Sequence, residues 1–512
     1  MKYTLLKFIF RASVIAATLG WLLLLPIEIV ARVGGGQSYG GGSRSSGGGS
    51  GGGGSDDGGA IVWLIFEAVR FLVYLTIEYP AIGIPLDIIV LLGVVYFFKR
   101  RKSAVSFSSI VPPVVNAQPT EAGHSLERLR KFDPNFSQIV LTDFVYALYA
   151  KAHDARGHGQ AALDLFSPYL SEGARKALLD RNPAGLKEVA GIIVGSMKIV
   201  QVVGLDTPLV KVGVVFESNY TEIVGGNAGT TYYVTERWNL ERKRDLLSPP
   251  PAQATALHCP RCGAPLQRDT VGACAYCGAK VESGEFQWFV QNITLLSTEA
   301  RGPMLTSDVE EVGTDFPSVV QPNFQVIAAN FTQLNRQFTW ADFQTRAKMI
   351  FDELQAAWSS LKWERARPHE TDNIFQMHQY WIEAYRRQGL RNVVENCVIT
   401  AMQPVKIQED TFYQAITLRI WAKGNDYTVD SNDNVVSGSR TRTREWSEYW
   451  TFIRNREAKD SRVRTELSCP NCASPLKVNA SGICEFCGGK ITSGEFDWVL
   501  SKIEQDESYA VG

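Results

Sequence analysis

A four-cysteine cassette occurs twice in this chain, and nothing else in the sequence limits the fold so severely. The first copy places Cys259, Cys262, Cys274 and Cys277; the second places Cys469, Cys472, Cys484 and Cys487. In each copy eleven residues separate the two Cys-x-x-Cys pairs, and every matched position is offset by 210. The tails match as well: Ser283 to Trp288 reads Ser-Gly-Glu-Phe-Gln-Trp, and Ser493 to Trp498 reads Ser-Gly-Glu-Phe-Asp-Trp. Thiolates two residues apart sit on one tight turn, and two such turns complete a tetrahedral sulfur shell. The spacing therefore predicts two zinc ribbons, with these eight cysteines as ligands of two structural Zn2+ ions. Gly263, Gly278 and Gly488 follow the second cysteine of their pairs, where a residue without Cβ takes positive φ. Ala473 holds the fourth such position. Its expected cost of about 1 kcal/mol is small against a metal contribution of roughly 10–16 kcal/mol.

All four ligand positions are filled, which speaks for structural rather than catalytic zinc. Nucleic-acid binding is the usual functional alternative for ribbons. In the first cassette Arg261, Arg268 and Lys280 are cancelled by Asp269, Glu282 and Glu285; in the second, Lys477 and Lys490 face Glu485, Glu495 and Asp497. Neither is a phosphate-neutralising surface, and no nucleic-acid partner is expected. Redox cycling is disfavoured because neither pair lies between a strand and a helix. The net charge of −1 over 512 residues excludes a polyanion binder in the same way. Eight of nine cysteines fall in the cassettes, an expenditure of thiols on metal that fits a reducing compartment. The ninth, Cys397, lies in an apolar run and reads as core packing.

The N-terminal part reads as a membrane device. Lys2, Lys7 and Arg11 precede an uncharged run from Ala12 to Ile27, which is the pattern of a signal peptide, or of an uncleaved signal anchor, over 1–31. Between Gly34 and Gly59, 15 of 26 residues are glycine; the stretch lacks the Lys-Ser/Thr of a phosphate loop and is a coil linker (32–59). The segment 60–102 is again apolar. Glu67, Arg70 and Glu78 burden its first half, so 61–79 reads as interfacial or partly inserted. Residues 82–98 read as a spanning helix closed by the basic run Lys99 to Lys102. One such span after a signal leaves that run and everything following on the cytoplasmic side, the compartment that the thiols also favour.

Beyond a linker (103–124) the chain falls into two units, 125–256 with ribbon 257–296, and, after a linker at 297–321, 322–464 with ribbon and tail 465–512. Each opens with helices and continues as antiparallel strands, which is the α+β class. Phe136, Val140, Phe144 and Ala147/Leu148 mark the first helix of unit one; Phe343, Ala347, Ile350/Phe351, Leu354, Ala357/Trp358 and Leu361 mark that of unit two. A second helix in unit two is expected from Asp372 to a stop at Gly389. Each sheet is expected to end on an aromatic strand (Trp238; Trp446 and Trp450) that feeds the cassette. Asp430 to Asn434 reads as a turn, lacking the glycine and terminal glutamate of a calcium loop. Arg440, Arg442 and Arg444 alternate on one strand face, solvated by default, with anionic lipid or an acidic partner as the alternative.

The segments Phe351 to Trp358, Tyr385 to Asn396, Asp426 to Asp430 and Glu448 to Arg454 resemble the Tim44-like domain family over about 322–454. The resemblance extends to Arg32 to Tyr39 (Arg-Val-Gly-Gly-Gly-Gln-Ser-Tyr) and the membrane helix found in bacterial members. In unit one, Phe136 and Phe144 are matched with Phe343 and Phe351, and Glu236 and Trp238 with Glu448 and Trp450. The resemblance implies two nuclear-transport-factor-two-like domains, in which a bent antiparallel sheet wraps on helices. It implies a membrane-bound tether for protein or lipid partners at the bacterial inner membrane, with domains facing the cytoplasm, accessory to transport, and no catalysis. Two other readings stand beside it: an assembly factor of the envelope, and an enzyme using the pocket of the cone with His153, Asp154 or His378.

Overall fold

The computed structural model describes residues 114–116, 126–225, 229–251, 259, 261–262, 264, 273–279, 287–300, 312–458, 468–479, 482–506 and 509. The signal segment, the glycine linker and the span read at 82–98 lie outside them. Among the described residues no helix is long and apolar enough to cross a membrane.

The chain is mixed α+β, with two four-stranded antiparallel sheets of the same plan. In domain one, helices α1 (Gln138–Gly157), α2 (Gln160–Asp164) and α3 (Glu172–Leu179) precede strands β2 (Leu186–Val203), β3 (Leu209–Val224), β4 (Thr230–Lys243) and β5 (Phe289–Glu299). In domain two, α4 (Phe324–Leu334), α5 (Trp340–Ser359) and α6 (Asp372–Arg387) precede β7 (Arg391–Glu409), β8 (Tyr413–Val429), β9 (Val435–Asn455) and β10 (Val499–Gln505). A short parallel pair, β1 (Val114–Asn116) with β6 (Ser318–Val320), stands apart from both sheets.

Neither sheet ends on its aromatic strand as the sequence suggested. The strand beyond each cassette returns to pair with the strand before it: β5 lies antiparallel on β4, with Trp238 opposite Ile293, and β10 on β9, with Trp450 opposite Ile503. Each cassette is thus inserted between the third and fourth strands of a sheet rather than appended to it. β8 runs unbroken through Gly424, Asn425 and Asp426. Register shifts absorb the bend there, and a Cβ on Gly424 would stand 3.0 Å from the Glu395 carbonyl oxygen.

The helix stripe of unit two is found as read up to Trp358: Phe343, Ala347, Ile350, Phe351, Leu354, Ala357 and Trp358 are all buried on α5, whereas Leu361 lies past its C-cap Ser360 at φ 54°. That of unit one is shifted. Phe136 precedes the N-cap Ser137, and the nine buried residues of α1 (Leu141, Phe144, Val145, Leu148, Tyr149, Ala152, His153, Ala155, Arg156) match the nine of α5 at a constant offset of 202. Phe343 therefore corresponds to Leu141, and Phe351 to Tyr149. The caps agree: Ser137 Oγ accepts from the Val140 amide at 3.1 Å, and Thr339 Oγ1 from the Asp342 amide at 3.1 Å. Matching phenylalanines misled because burial, not aromatic identity, sets helical register. The stop at Gly389 holds: at φ 64° it donates to the Arg386 carbonyl while Leu390 donates to that of Tyr385, a Schellman closure.

The domains touch along α6. Asn373 Nδ2 donates to Asp143 Oδ1 on α1 at 2.8 Å, and Ile139 and Val140 pack on Tyr413, Ala415, Ile453 and Val499 of domain two. Gly191 of β2, at φ 59°, lies so close to Tyr380 that a Cβ would approach its ring to 3.0 Å.

Candidate functional site: two tetrathiolate clips

Each cassette folds its cysteines into one cluster, and in each the four Sγ atoms lie within 4.8 Å of one another. Cys259 and Cys277 are 3.8 Å apart, Cys262 and Cys274 3.9 Å; Cys469 and Cys487 are 3.8 Å apart, Cys472 and Cys484 4.0 Å. A disulfide would require about 2.05 Å, and all nine cysteines are free thiols. Four sulfurs held about 2.3 Å from a central ion stand about 3.8 Å apart along the tetrahedron's edges. The donor set fits a tetrahedral thiophilic metal.

Local backbone makes the shells. Cys259 donates its amide to the Ala264 carbonyl and Cys469 to that of Ser474; Cys274 and Cys484 do the same toward Ala279 and Gly489. The residue after each second cysteine has the positive φ expected of it where it is described: Gly278 at 65°, Gly488 at 70° and Ala473 at 59°. Ala473 accepts that conformation and still donates to the Cys469 carbonyl at 2.8 Å. In the second clip Asn471 Nδ2 donates to Cys487 Sγ at 3.3 Å, an outer contact that would orient this sulfur toward a bound ion.

Beyond each clip the chain is anchored in its domain by tryptophan. Trp288 and Trp498 are buried, their amides donating to Gln287 Oε1 at 3.0 Å and Asp497 Oδ1 at 2.7 Å. Each carries a guanidinium over its ring, Arg242 at 4.7 Å and Arg454 at 4.9 Å. The second clip is further tied to α6: Lys490 Nζ lies 2.7 Å from Asp372 Oδ2, Thr492 Oγ1 donates to Asp372 Oδ1 at 3.2 Å, and Arg367 pairs with the same carboxylate.

The residues weighed for acid–base chemistry are placed otherwise. Asp154 is exposed on α1, 3.8 Å from His158. His153 lies within α1, which runs on to Gly157. It belongs to a buried network that the sequence did not reveal. Its Nε2 is 3.2 Å from Glu236 Oε1, which Arg181 approaches to 2.6 Å; the Trp238 indole donates to Glu236 Oε2 at 2.9 Å, and Arg156 Nε donates to His153 Nδ1 at 3.1 Å. That last bond makes Nδ1 an acceptor, so the imidazole is neutral with its proton toward Glu236. Burial pushes the His153 pKa down, the Glu236 charge opposing it. Burial also pushes the Glu236 carboxyl up, but His153, Arg181 and Trp238 outweigh it and hold the group at about 2. In domain two His378 Nδ1 lies 2.7 Å from Glu370 Oε1; burial pushes this carboxyl up, with His378 and Arg367 pulling against it.

Both histidine–glutamate pairs have side-chain exposures of 0%, so neither faces solvent. Two crevices flank the clip anchors instead, one of about 10 Å³ bounded by Phe136, Phe144 and Trp288, the other of about 20 Å³ bounded by Arg346, Phe496 and Asp497. Each has room for about one water. The turn at Asp430 is turn chemistry as read, its carboxylate taken by the Asn432 and Asn434 amides at 2.8 and 2.9 Å. Arg440 is paired with Asp433 at 2.7 Å and lies 4.8 Å from the Tyr427 ring. Cys397 packs against the core of domain two.

Fold and site together define a duplicated α+β module, each copy closed by a clip that could hold a metal ion. Residues 325–463 match the Tim44-like domain. That stretch of the second module is similar to the Tim44-like domain. No curated protein matches the chain.

Proposed function

We propose that this protein is a membrane-anchored, zinc-dependent tether, accessory to a transport or translocation process at a bacterial inner membrane, with both domains on the cytoplasmic side. The observation that carries the reading is the Tim44-like match over 325–463. The rest is consistent with it: the free thiols suit a reducing compartment, and the basic run Lys99 to Lys102 suits the cytoplasmic end of a span. Zinc is the natural occupant of a closed four-thiolate shell. Each domain is read as a nuclear-transport-factor-two-like cone, with the partner a protein or lipid of the membrane. Crosslinking of the full chain in native membranes, followed by mass spectrometry, tests the proposal. Recovery of the same membrane-protein or lipid neighbours across preparations supports it; a chain that crosslinks to none and washes off at high salt refutes it. Stoichiometric co-purification with one large complex would favour the envelope-assembly reading.

A further inference from the structure

The N-terminus of α6 is the one place among the described residues where second clip, second domain and first domain meet within two consecutive side chains. Asp372 faces the clip: it receives Lys490 Nζ at 2.7 and 2.8 Å and the Thr492 hydroxyl at 3.2 Å. Lys490 is three residues beyond the ligand Cys487 and bridges to Ile483, the residue before the ligand Cys484. Its position is therefore set by the metal shell. Asn373 faces the other way and donates to Asp143 on α1 of domain one at 2.8 Å. Arg367 pairs with Asp372 from below, so the carboxylate is oriented from three directions. Packing leaves little slack: a Cβ on Gly482 would come within 2.1 Å of Thr492 Oγ1 and 2.7 Å of Arg367 Nη2. Further along α6, Tyr380 closes on Gly191 of domain one.

We propose that occupancy of the second clip sets the docking of domain one on domain two, through Lys490, Thr492, Asp372, Asn373 and Asp143. With the shell closed, the knuckle carrying Ile483 and Cys484 fixes Lys490, Lys490 and Thr492 fix the first turn of α6, and that turn presents Asn373 to Asp143. With the shell open, Lys490 is no longer held, the α6 N-terminus is released on its clip side, and the contact to α1 goes with it. The apolar contact of Ile139 and Val140 with Tyr413, Ala415, Ile453 and Val499 remains, so the domains would stay joined but rock about that patch, and a partner that grips both would meet a looser surface. Domain one has an acidic residue at the matching place, Glu172 in the first turn of α3 after the cap Ser171. The inference rests on the reading of the clip as a metal site, and elemental analysis of the same samples separates failure of that reading from failure of the coupling.

The test uses the full chain in detergent, with spin labels on non-cysteine, genetically encoded side chains at the exposed positions Lys176 and Thr345, so that the ligand thiols are untouched. Pulsed electron paramagnetic resonance reads the interdomain distance distribution. The metal-loaded protein is expected to give one narrow distribution. Cys487→Ser is expected to lose one of two metal equivalents and the narrow distribution together. Because Cys487→Ser disturbs domain two more widely, Lys490→Ala and Asn373→Ala carry the decision: both are expected to keep two metal equivalents and unchanged circular dichroism, yet to broaden the distance distribution. A narrow distribution retained by both of these variants overturns the proposal, as does one retained by Cys487→Ser after its metal is gone.

Discussion

The two domains share a frame and differ in where they put their buried charge. The frame is copied closely. Nine buried positions of α1 and α5 agree at one offset, and a buried glutamate two residues before a tryptophan accepts its indole proton at 2.9 Å in both, Glu236 with Trp238 and Glu448 with Trp450. That tryptophan meets Tyr149 in one domain and Phe351 in the other, at 5.1 and 5.3 Å. The charges do not follow. Domain one has His153 where domain two has Gln355, and Leu170 and Leu178 where domain two has the pair Glu370 and His378. Phe144 and Gln287 occupy the places of Arg346 and Asp497, which lie 3.4 Å apart. Glu370 with His378 and Arg346 with Asp497 differ as whole pairs, because a lone buried charge costs several kcal/mol while a pair, or an uncharged replacement of both, is tolerated; Glu448 is the exception, kept with Gln355 in the place of His153. The aromatic frame and the clip are what the duplication kept.

The comparison can be broken most severely at the clips. Cys274→Ser and Cys484→Ser should each remove one metal equivalent and most of the corresponding domain's stability, an effect on the order of 10 kcal/mol. Elemental analysis and thermal unfolding would show it, and a variant that keeps its metal and its melting temperature would contradict the shared role. Next comes the buried carboxylate of domain one. Glu236→Gln leaves Arg181 facing a neutral group and should cost roughly 3–5 kcal/mol near neutral pH. The pH dependence fixes the sign. Because the folded-state pKa of Glu236 is depressed to about 2, its contribution is present above the unfolded value near 4.5 and is lost as pH falls toward 2. Glu370 is shifted upward, so its contribution has the opposite sense, present at low pH and lost as pH rises through the folded value. Denaturation series at several pH values should therefore show Glu236→Gln flattening, and Glu370→Gln steepening, the acid limb.

A smaller effect sharpens the same point. Arg346→Phe alone strands Asp497 and should cost about 3 kcal/mol; adding Asp497→Gln, which writes domain one's solution into domain two, should recover most of that loss. A double-mutant cycle with no coupling would mean the two positions vary independently. Least of all, Ala473→Gly should stabilise by about 1 kcal/mol by relieving a positive φ on a residue with Cβ, and Gly488→Ala should destabilise by a similar amount. Nothing lies within 4 Å of a Cβ at Gly488, so the backbone alone decides that second result.

What could be read from sequence was what is encoded locally. Cysteine spacing foretold both four-sulfur clusters and the positive φ at Ala473, and helical periodicity with Gly389 outlined α5 and α6. The network around His153 brings together residues 83 positions apart, and no local pattern announces it. Glu370 and His378 are eight apart, but Glu370 lies ahead of the cap of α6, so helical spacing does not join them. β5 was missed because its outer half is exposed on both faces, which erases the alternation that marks a half-buried strand.

The return of the chain through each clip to complete the sheet has a cost for the cell as well as a benefit. If the clip is never closed, or the chain is cut after β9, the row from Glu448 to Ile453 that should receive β10 stands as a bare edge rich in aromatic residues, Tyr449, Trp450 and Phe452. Such an edge recruits strands from other molecules. Chains whose second clip stays open should therefore clump as they are made.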